Sequence, residues 1–475
     1  MTDFNINGYS LKELTKKGKE LREHEEEVEF LMKSYVGGAE YREGEYLTRH
    51  KRENKASFKK RLENSVFTNY TSPVIDIYNG YLHREQKERS NKGLNDSLFK
   101  AYIEDADLNG RTHDKIMREV SRLSSLMGSV GILIDSPESS TGSLGSDISA
   151  GLHTYIKVYT PNNIVNLIYN YDTGRPVLDI LVLNEDFDDS VYEYYVIYTN
   201  EEWFRIKQKD NTKPELISQG VHGLGIVPFI IHKNKDSLIS KFGVSDVSDI
   251  AELNKRVYQL DSSAIEIIEN TAFPFLEVPR RDNPATGDGD IIIGTTNVLE
   301  VDPDTTNKHR WVEPDGLSLD KILMWRNQTL EDIRYHSKIG GTDGVNSNKA
   351  LSGVSLEIMF QQLNSILADK AESLENTENA IFSIIGLWNN QTWDGSIVYS
   401  RRFGVRDLSF ELDQFIKASL FVDSKEFTKE MAEKVARKVL TNVDEKTIDL
   451  IVKEVEDNHG NSAGNSVSED SLNAS

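Results

Sequence analysis

A chain of 475 residues with 38% hydrophobic residues can bury more than one apolar core, so we expect two to four subdomains. It contains no cysteine, which excludes disulfides, thiol redox chemistry and cysteine-ligated zinc, and is typical of a cytoplasmic protein. The formal net charge of −22 argues against a protein that grips nucleic acid over its whole surface, although it is compatible with a channel wall past which DNA slides.

The beginning of the chain lacks the basic and apolar regions of a signal peptide, and no apolar run reaches membrane-spanning length. The sequence therefore predicts a soluble protein that is not secreted and binds no membrane. Acidic residues are concentrated in two places: residues 172–202 carry nine acids and one arginine, and residues 441–475 carry eight acids and two lysines. We expect a solvated face and a solvated tail there.

The first half of the chain reads as helices followed by a β-rich region. Helices are predicted over 11–35 and 96–127, and a helix-rich stretch over 58–89 that Pro73 restarts after Thr71-Ser72. A buried strand over 130–135 and a surface loop over 136–151 follow. The further predicted strands are 154–159, 164–169, 177–183, 192–198, 203–207 and 229–232, with hairpin turns at 172–174 and 200–202. This half is therefore predicted to be a mixed α+β body.

The second half is predicted to contain three long helices. The first starts near Ser245 with Asp246 and Asp249 in its first turn, has apolar residues spaced by three and four, and ends at Pro274. Short strands (275–278, 290–293 and 297–301) precede a helix over 318–338, a glycine-rich stretch and the longest helix. The apolar seam predicted for the longest helix is Leu356, Met359, Leu363, Ile366, Leu374, Ile381, Ile384 and Trp388.

The last part is predicted to hold a β pair, three helices and a tail. The β pair is placed at 397–400 and 408–412, and the helices at 414–422, 424–440 and 444–456. Residues 458–475 have the composition of a disordered segment.

No motif predicts catalysis or a metal. Asp172-Thr-Gly174 matches the letters of an aspartic-protease site, but it lies where turn chemistry explains it. Ser129 lacks the spacing of a nucleophile elbow, and the histidines show no paired ligand spacing. The glycine-rich stretch lacks a phosphate-loop pattern. We therefore predict no enzyme, no catalytic residue, no metal site and no cofactor.

Spacing alone leaves the role of the three long helices open, because they fit an ordinary bundle as well as a stalk. The glycine-rich stretch likewise fits a plain flexible loop. A nuclease or hydrolase would need a convergent acid or metal cluster, which is not visible, and a structural or adaptor protein with a helical stalk is the stronger alternative.

Several segments, taken in order, resemble portal proteins of tailed bacteriophages. The segments are Phe58–Leu62, Tyr70–Pro73 and Gly80–Leu82 for a wing, Arg256–Ala264 and Asn270–Pro274 for a first stem helix and its exit, and Ala350–Glu357, Leu363-Asn and Leu367–Ala371 for a long helix. The similarity is patchy but spreads over roughly residues 40–440, and the order of the parts matches throughout.

The resemblance implies a portal-type α+β fold that assembles as a ring. The implied parts are an N-terminal wing (1–244), stem helix 1 (245–272), a clip with β structure (273–316), stem helix 2 (317–338), a tunnel loop (339–353), a long wing helix (354–390), a helical crown (391–456) and a disordered acidic tail (457–475).

It also implies a function: a ring of about twelve subunits at one capsid vertex, through which double-stranded DNA is packaged and ejected. The implied partners are other copies of the chain, the terminase large subunit, major capsid and scaffolding proteins, and head-tail connector or adaptor proteins. The implied location is the virion, with the host cytoplasm during assembly.

Two sets of residues are predicted to face the channel. The tunnel-loop set, expected to contact moving DNA, is Lys338, Gly340, Gly341, Asp343, Gly344, Asn346, Asn348, Lys349 and Gly353. The stem set is Arg326, Arg334 and His336, for which contacts between subunits are an equally good location.

Overall fold

The computed structural model describes residues 5–51, 53–84, 87–137, 143–172, 174–185, 191–209, 212, 214–271, 275–279, 298–301, 310–312, 317–338, 353–401, 403, 424–439, 447–448 and 450–455. The chain divides into two compact units, Met1–Phe403 and Gly404–Ser475, each of which is described by itself. The mixture of helices and strands confirms the predicted α+β class.

The first unit is built from helices α1 to α11 and strands β1 to β15. Its helices are α1 (Leu11–Leu14), α2 (Lys19–Val36), α3 (Gly38–Glu43), α4 (Lys55–Asn64), α5 (Ser72–Leu82), α6 (Asp96–Glu104), α7 (His113–Met127), α8 (Leu144–Ser149), α9 (Ser248–Thr271), α10 (Leu317–Ser337) and α11 (Gly353–Trp388). Its strands are β1 (Asn5–Ile6), β2 (Tyr9–Ser10), β3 (Glu88–Ser90), β4 (Ser129–Asp135), β5 (Tyr155–Tyr159), β6 (Ile164–Asn170), β7 (Val177–Glu185), β8 (Glu193–Tyr198), β9 (Glu202–Gln208), β10 (Glu215–Val221), β11 (Phe229–Lys233), β12 (Phe275–Pro279), β13 (Val298–Val301), β14 (Arg310–Val312) and β15 (Ser396–Val398).

Strand β4 is the middle strand of a three-stranded antiparallel sheet in the first unit, between β11 and β5. Val130, Ile132 and Ile134 belong to the largest apolar core, whereas Leu133 points into a second core. Helices α7 and α11 pack against this sheet. Because both faces of β4 are covered, its sequence is apolar without alternation, and the strand predicted over 130–135 is confirmed.

A five-stranded antiparallel sheet in the order β10-β9-β8-β7-β6 forms the second layer. The amino-terminal residues Ile6, Leu11 and Leu14 cover one of its faces. The predicted turns at 172–174 and 200–202 join β6 to β7 and β8 to β9, as expected. Strand β10 was not predicted, because most of its side chains are exposed and its register shifts at a bulge.

Two helices predicted for the first half were too continuous. The predicted helix 96–127 is interrupted between α6 and α7, where the Asp107 carboxylate accepts hydrogen bonds from the backbone N–H groups of Asn109 and Arg111. The predicted helix 11–35 is broken between α1 and α2. The helix-rich stretch 58–89 restarts in α5, with Pro73 in its first turn as predicted, but it ends in strand β3. The predicted loop 136–151 contains the short helix α8, whose first turn is capped by the Ser143 hydroxyl.

In the second half, α9, α10 and α11 confirm the three predicted helices. Asp246, however, precedes α9 and is not in its first turn. Strand β12 pairs parallel with β13 and antiparallel with β14, and the predicted strand 290–293 lies outside the described residues. Strand β15 confirms the strand predicted near 397 and pairs with β3; its predicted partner at 408–412 lies outside the described residues.

The second unit contains helix α12 (Lys425–Val439), which confirms the helix predicted over 424–440. Ala436 of this helix packs with Ile448 and Val452 in a small apolar cluster. The helix predicted over 414–422 and the tail over 457–475 lie outside the described residues, and the helix over 444–456 is described in part. The division of the chain into wing, stem, clip and crown stays a prediction.

Within the described part of the chain, the helices are too short or too polar to cross a lipid bilayer.

We predict that Gly128→Ala destabilises the first unit by about 3 kcal/mol, because two costs add there. Gly128 ends α7 with a φ of +81°, and an added Cβ would lie 2.3 Å from the Gly243 carbonyl oxygen. Gly110 has a φ of +80° and no atom within 4 Å of its added Cβ, so Gly110→Ala should cost about 1 kcal/mol. Urea unfolding of both variants measures the difference; equal costs would contradict the steric part of the argument.

Candidate functional site

Helices α9 and α10 lie side by side and run in opposite directions. His336 is 4.0 Å from Asp249, and Arg326 Nε is 2.5 Å from Asp261 Oδ1, so later residues of α10 meet earlier residues of α9. Several residues of the predicted α9 seam are buried, Val257 among them. The two helices therefore form one antiparallel pair.

Helix α10 has one buried face and one face that carries large apolar side chains into solvent. Thr329, Ile333 and Ser337 are buried. The exposed apolar residues, with their exposed fractions, are Leu317 (61%), Met324 (63%), Trp325 (58%) and Tyr335 (81%). Positions 317, 324 and 335 fall on one line along a helix of 3.6 residues per turn. Lys321, Gln328 and Glu331 lie between them on the same side, so this face mixes exposed apolar side chains with polar ones. Several large apolar side chains exposed along one side of a helix are typical of a surface that meets another molecule.

The end of α10 is held by helix α5. The Tyr78 hydroxyl donates a hydrogen bond to the Ser337 carbonyl at 2.6 Å, and both residues are buried. Lys338 follows directly, is exposed and has a φ of +50°, a left-handed conformation that ends the helix. The exit of the helix pair is therefore fixed by a contact deep in the first unit.

All three residues of the predicted stem set have partners in their own chain. Arg326 joins α10 to α9 through Asp261, and this carboxylate raises the pKa of Arg326. Arg334 Nη1 lies 2.6 Å from Glu331 Oε1 on the same helix, and His336 faces Asp249. The side chains of Arg334 and His336 are about half exposed, so they remain available to a second molecule. A role in lining a channel stays a prediction.

The described residues reach the predicted tunnel loop only at its two ends. Lys338 closes α10, and Gly353 begins α11. The other predicted loop residues, which lie outside the described residues, are Gly340, Gly341, Asp343, Gly344, Asn346, Asn348 and Lys349. Contact between this loop and DNA stays a prediction.

A buried arginine fastens the chain before α4 to the middle of α9. The Arg61 side chain is 4% exposed and makes a two-point contact with Glu53, Nη2 to Oε2 at 2.7 Å and Nε to Oε1 at 2.8 Å. Its other amino group donates to the Ser262 hydroxyl of α9 at 3.2 Å. The hydrogen bond from Arg61 lowers the pKa of Glu53 to about 2. This stabilisation is present above the ordinary carboxyl pKa and is lost as the pH falls towards 2.

A buried lysine on α11 fixes the start of α9. Lys370 Nζ lies 2.5 Å from Asp246 Oδ2 and 2.9 Å from the Ser125 hydroxyl, and it also donates to the Asn234 side chain. Lys235 reaches the same carboxylate from outside at 2.7 Å. The three partners of Lys370 come from α7, from the residue after β11 and from the segment before α9, so this contact joins three parts of the chain to the long helix.

The charges of this cluster explain its two pKa directions. Burial is the largest effect at both groups, and it favours the neutral form. At Asp246, two lysines outweigh burial, so the pKa is lowered. At Lys370 the single carboxylate of Asp246 does not outweigh burial, so the pKa of the ammonium group is lowered. A polar cavity of about 10 Å³ borders Lys370, His232 and Ser124, which is about the volume that one water occupies.

A second buried charge on α11, Glu378, holds two other parts of the unit. Arg89 of β3 donates to it at 2.8 and 3.1 Å, and the Tyr399 hydroxyl donates to it as well. His113, at the start of α7, lies 3.3 Å away within ion-pair range. Burial opposes the negative charge, but His113 and Arg89 together outweigh it and hold the pKa of Glu378 well below its usual range.

Sequence reasoning missed both buried charges, although a signal was present. Lys370 lies between Ile366 and Leu374, and Glu378 lies between Leu374 and Ile381, each four residues or fewer from its neighbours on the predicted apolar seam. A charge on an apolar seam must be paired when the seam is buried. The interruption of the seam therefore indicated two buried ion pairs without naming their partners.

An open groove runs along the helix pair on the side of α9 that faces solvent. Its volume is about 490 Å³. The lining residues are Asp249, Glu252, Leu253, Lys255, Arg256, Gln259 and His336. The Lys255 ammonium group lies over the rings of Phe30 and Tyr46 of the same chain. Arg256 is exposed, and no carboxylate among the described residues lies within 4.0 Å of it.

The rejected chemical motifs have structural explanations. Asp172 donates its backbone N–H to the Asn170 side chain at 2.7 Å in the β6–β7 turn. The Ser129 hydroxyl is buried and accepts a hydrogen bond from the Gly243 N–H at 2.6 Å. In the part of the chain that the structure describes, no three His, Asp or Glu side chains converge as metal ligands would.

Comparison with known proteins gives one family match. The model of the family "Phage portal protein, SPP1 Gp6-like" matches residues 22–312, more than half of the chain, and ends just before α10. No curated protein matches the chain.

Two solved structures are similar to the chain at low identity. One is the virion of a native gene transfer agent (GTA) particle, 11% identical with a TM-score of 0.43, covering 87% of this chain and 93% of that chain. The other is the neck of an empty GTA particle computed with C6 symmetry, 10% identical with a TM-score of 0.43, covering 79% of this chain and 92% of that chain.

We predict that Lys370→Met lowers the free energy of unfolding by about 3 kcal/mol, because Asp246 then keeps a buried charge with one partner removed. Asp246→Asn should cost a similar amount by leaving Lys370 unpaired. Combining the two should cost about as much as either alone, since the double variant buries no unmatched charge. Urea unfolding of the three variants measures this coupling, and costs that simply add would show that the pair does not act as a unit.

Proposed function

We propose that this chain, which belongs to the SPP1 Gp6-like family of phage portal proteins, assembles into a ring at one vertex of a virion capsid. The ring forms a channel for double-stranded DNA during packaging and ejection. Helices α9 and α10 are its stem, the segment between them is its clip, and residues 339–353 are its tunnel loop. The subunits are repeated by rotation, so each contact joins two different faces of the same chain.

The apolar face of α10 is the observation that carries the ring. Met324, Trp325 and Tyr335 are more than half exposed, although they lie on a helix whose opposite face is buried in the unit. A lone subunit leaves this face in water, at a cost that association removes. A ring supplies a neighbour to each subunit without leaving an unmatched end.

The charge of the chain supports a channel through which DNA slides. A ring repeats each side chain as a circle of charges, and the net charge of −22 per subunit opposes tight binding of phosphates. Lys338 and Lys349, at the exit of α10 and in the loop after it, would make transient contacts with the phosphates. The glycines of the loop allow it to shift as the DNA moves.

The proposed position at a capsid vertex implies which proteins the ring contacts. During assembly the ring meets scaffolding and major capsid proteins and the terminase large subunit, and later it binds connector or adaptor proteins. The assembled protein is in the virion, after assembly in the host cytoplasm. The second candidate is another virion adaptor with a helical stalk, and it is favoured if the stalk forms without a closed ring.

Measurement of mass and shape tests the ring. We expect twelve copies of a 53.9 kDa chain, roughly 650 kDa, by light scattering, and particles with a central channel by negative-stain electron microscopy. The measurement is made on the chain alone and after coexpression with its capsid and scaffolding proteins. Filaments, or a monomer under both conditions, would contradict the proposal.

The tunnel loop is tested by removing its charges. Lys338→Ala combined with Lys349→Ala should leave assembly intact and change the length of packaged DNA or its retention, because phosphates lose their transient contacts. The matched control is Lys16→Ala with Lys100→Ala, two exposed lysines of the wing region. Pulsed-field gels measure the DNA length, and nuclease protection measures its retention. A normal DNA length and normal DNA retention in the loop variant would show that Lys338 and Lys349 play no part in either process.

A further inference from the structure

We propose that the exposed turn before α4 is a second contact surface for duplex DNA, whose phosphates are bound by Arg49, Lys51 and Lys55. These three residues are called the basic turn below. The inference goes beyond the proposed function, because it requires a folded subunit and no ring.

The segment around the start of α4 is strongly basic although the chain is acidic. Residues 49–61 carry seven lysines or arginines and one acid, whereas the whole chain has a formal net charge of −22. At an ionic strength of about 0.1 M, charges more than about 10 Å apart are largely screened from each other. A phosphate that approaches this segment therefore responds mainly to the local positive charge.

The turn is held in one shape by the buried Arg61. The Glu53 N–H donates to the His50 carbonyl at 3.0 Å, and the Glu53 carboxylate accepts a hydrogen bond from the His50 N–H at 3.0 Å. Arg61 donates to that carboxylate and, at 2.9 Å, to the Thr48 carbonyl, so it fixes both ends of the turn. The exposed cations therefore stand on an ordered backbone, which reduces the conformational entropy lost when a ligand binds.

All three cations of the basic turn are exposed, and no carboxylate among the described residues lies within 4.0 Å of them. The next charges along α4 are matched within the chain: Lys59 lies 3.9 Å from Glu63, and Lys60 lies 3.3 Å from Glu269. The acid beneath the turn, Glu53, has a side chain only 5% exposed. The basic turn is thus the part of this segment whose positive charge remains for a ligand.

Lys55 opposes the stability of its own helix. It is the first residue of α4, whose first turn contains no acid, and the positive end of the helix dipole disfavours a cation there. Lys59, four residues later, is a like charge on the same side of the helix. A bound phosphate offsets both costs.

The composition of this surface favours DNA over an acidic protein. Protein interfaces are centred on apolar and aromatic side chains and are poor in lysine, whereas contacts with DNA phosphates use lysine, arginine and small polar side chains. Among the described residues of 49–60, the exposed ones are Arg49, His50, Lys51, Asn54, Lys55, Ala56, Ser57, Lys59 and Lys60. Alanine is the one apolar side chain in that set, so the surface has the composition expected for phosphate contacts.

The basic turn is separate from the predicted tunnel loop. The end of α10, where that loop begins, meets the start of α9, since His336 lies 4.0 Å from Asp249. Arg61, beneath the basic turn, donates to Ser262, thirteen residues further along α9. Thirteen residues of α-helix span about 20 Å, so the turn offers DNA a contact distinct from that of the tunnel-loop lysines.

Salt-dependent DNA binding tests the basic turn. The full-length chain is titrated into a fluorescently labelled duplex of about 20 base pairs at salt concentrations from about 50 to 200 mM. The triple variant Arg49→Ala/Lys51→Ala/Lys55→Ala should lower the slope of log affinity against log salt by about 2.7, because each lost phosphate contact removes about 0.9. An unchanged slope and affinity in this variant would overturn the inference.

The matched control is Lys16→Ala/Lys92→Ala/Lys100→Ala, which removes three exposed cations elsewhere in the first unit. This control has the same change in net charge and should keep the slope of the unchanged chain. An equal loss of slope in the control would show that the net charge, and not the basic turn, sets the affinity, and would overturn the inference as well.

Lys55→Glu separates a binding role of this lysine from a structural one. An acid suits the first turn of α4 and attracts Lys59, so the melting temperature should rise by about 1 °C while DNA binding weakens. A lysine kept for the stability of the subunit predicts a lower melting temperature instead. A lower melting temperature, or DNA binding equal to that of the unchanged chain, would count against the proposed role.

Two further measurements assign the ligand and keep this inference apart from the proposed ring. Labelled poly-L-glutamate replaces the duplex in the same titration, and binding that depends on the basic turn for this polymer but not for DNA would replace DNA by an acidic protein. Light scattering of the same samples measures assembly. Rings without turn-dependent DNA binding overturn this inference alone, and turn-dependent DNA binding by a chain that forms no ring even with its capsid partners overturns the ring alone.

Discussion

A charge cannot stay buried in a protein core without a partner, and helix α11 carries two such charges on its buried face. The side chain of Lys370 is 5% exposed and that of Glu378 is fully buried. An unpaired ion in such a position costs several kcal/mol or is neutralised. The rest of the first unit must therefore deliver a carboxylate to one position and a cation to the other, two turns apart on the same helix.

Satisfying these charges determines where distant parts of the chain lie. Asp246 comes from the segment that leads into α9, and Arg89 comes from β3, which also pairs with β15 after α11. The long helix thus holds the entrance to the helix pair at one point and strand β3 at another. Tyr78 holds the end of α10 from the same core. The entrance to α9 and the end of α10 are therefore both fixed to the core of the first unit.

Local patterns predicted most of the helices and strands, because burial repeats with the period of each element. The continuous apolar run of β4 and the three-and-four spacing of α9 both reflect contacts within a few residues of the chain. The break near Asp107 and the edge strand β10 were missed, since one depends on side-chain capping and the other exposes its side chains. The partners of Lys370 could not be predicted, because a charge on a seam requires a partner but does not say which of many acids provides it.

The requirement that a buried charge has a partner distinguishes the charges that hold the subunit together from those that remain for contacts with other molecules. Inside the unit, Lys370 and Glu378 are matched within the chain. On the helix pair, Arg256 is exposed with no carboxylate within 4.0 Å among the described residues, and Trp325 and Tyr335 keep large ring surfaces in water. A fold under selection only for its own stability gains nothing from such an arrangement, because exposed apolar rings and unmatched charges neither pack nor pair. Both become favourable once a neighbour presents the complementary face. The features of the helix pair that contribute nothing to the single subunit are therefore the ones that a repeated contact around a ring would use.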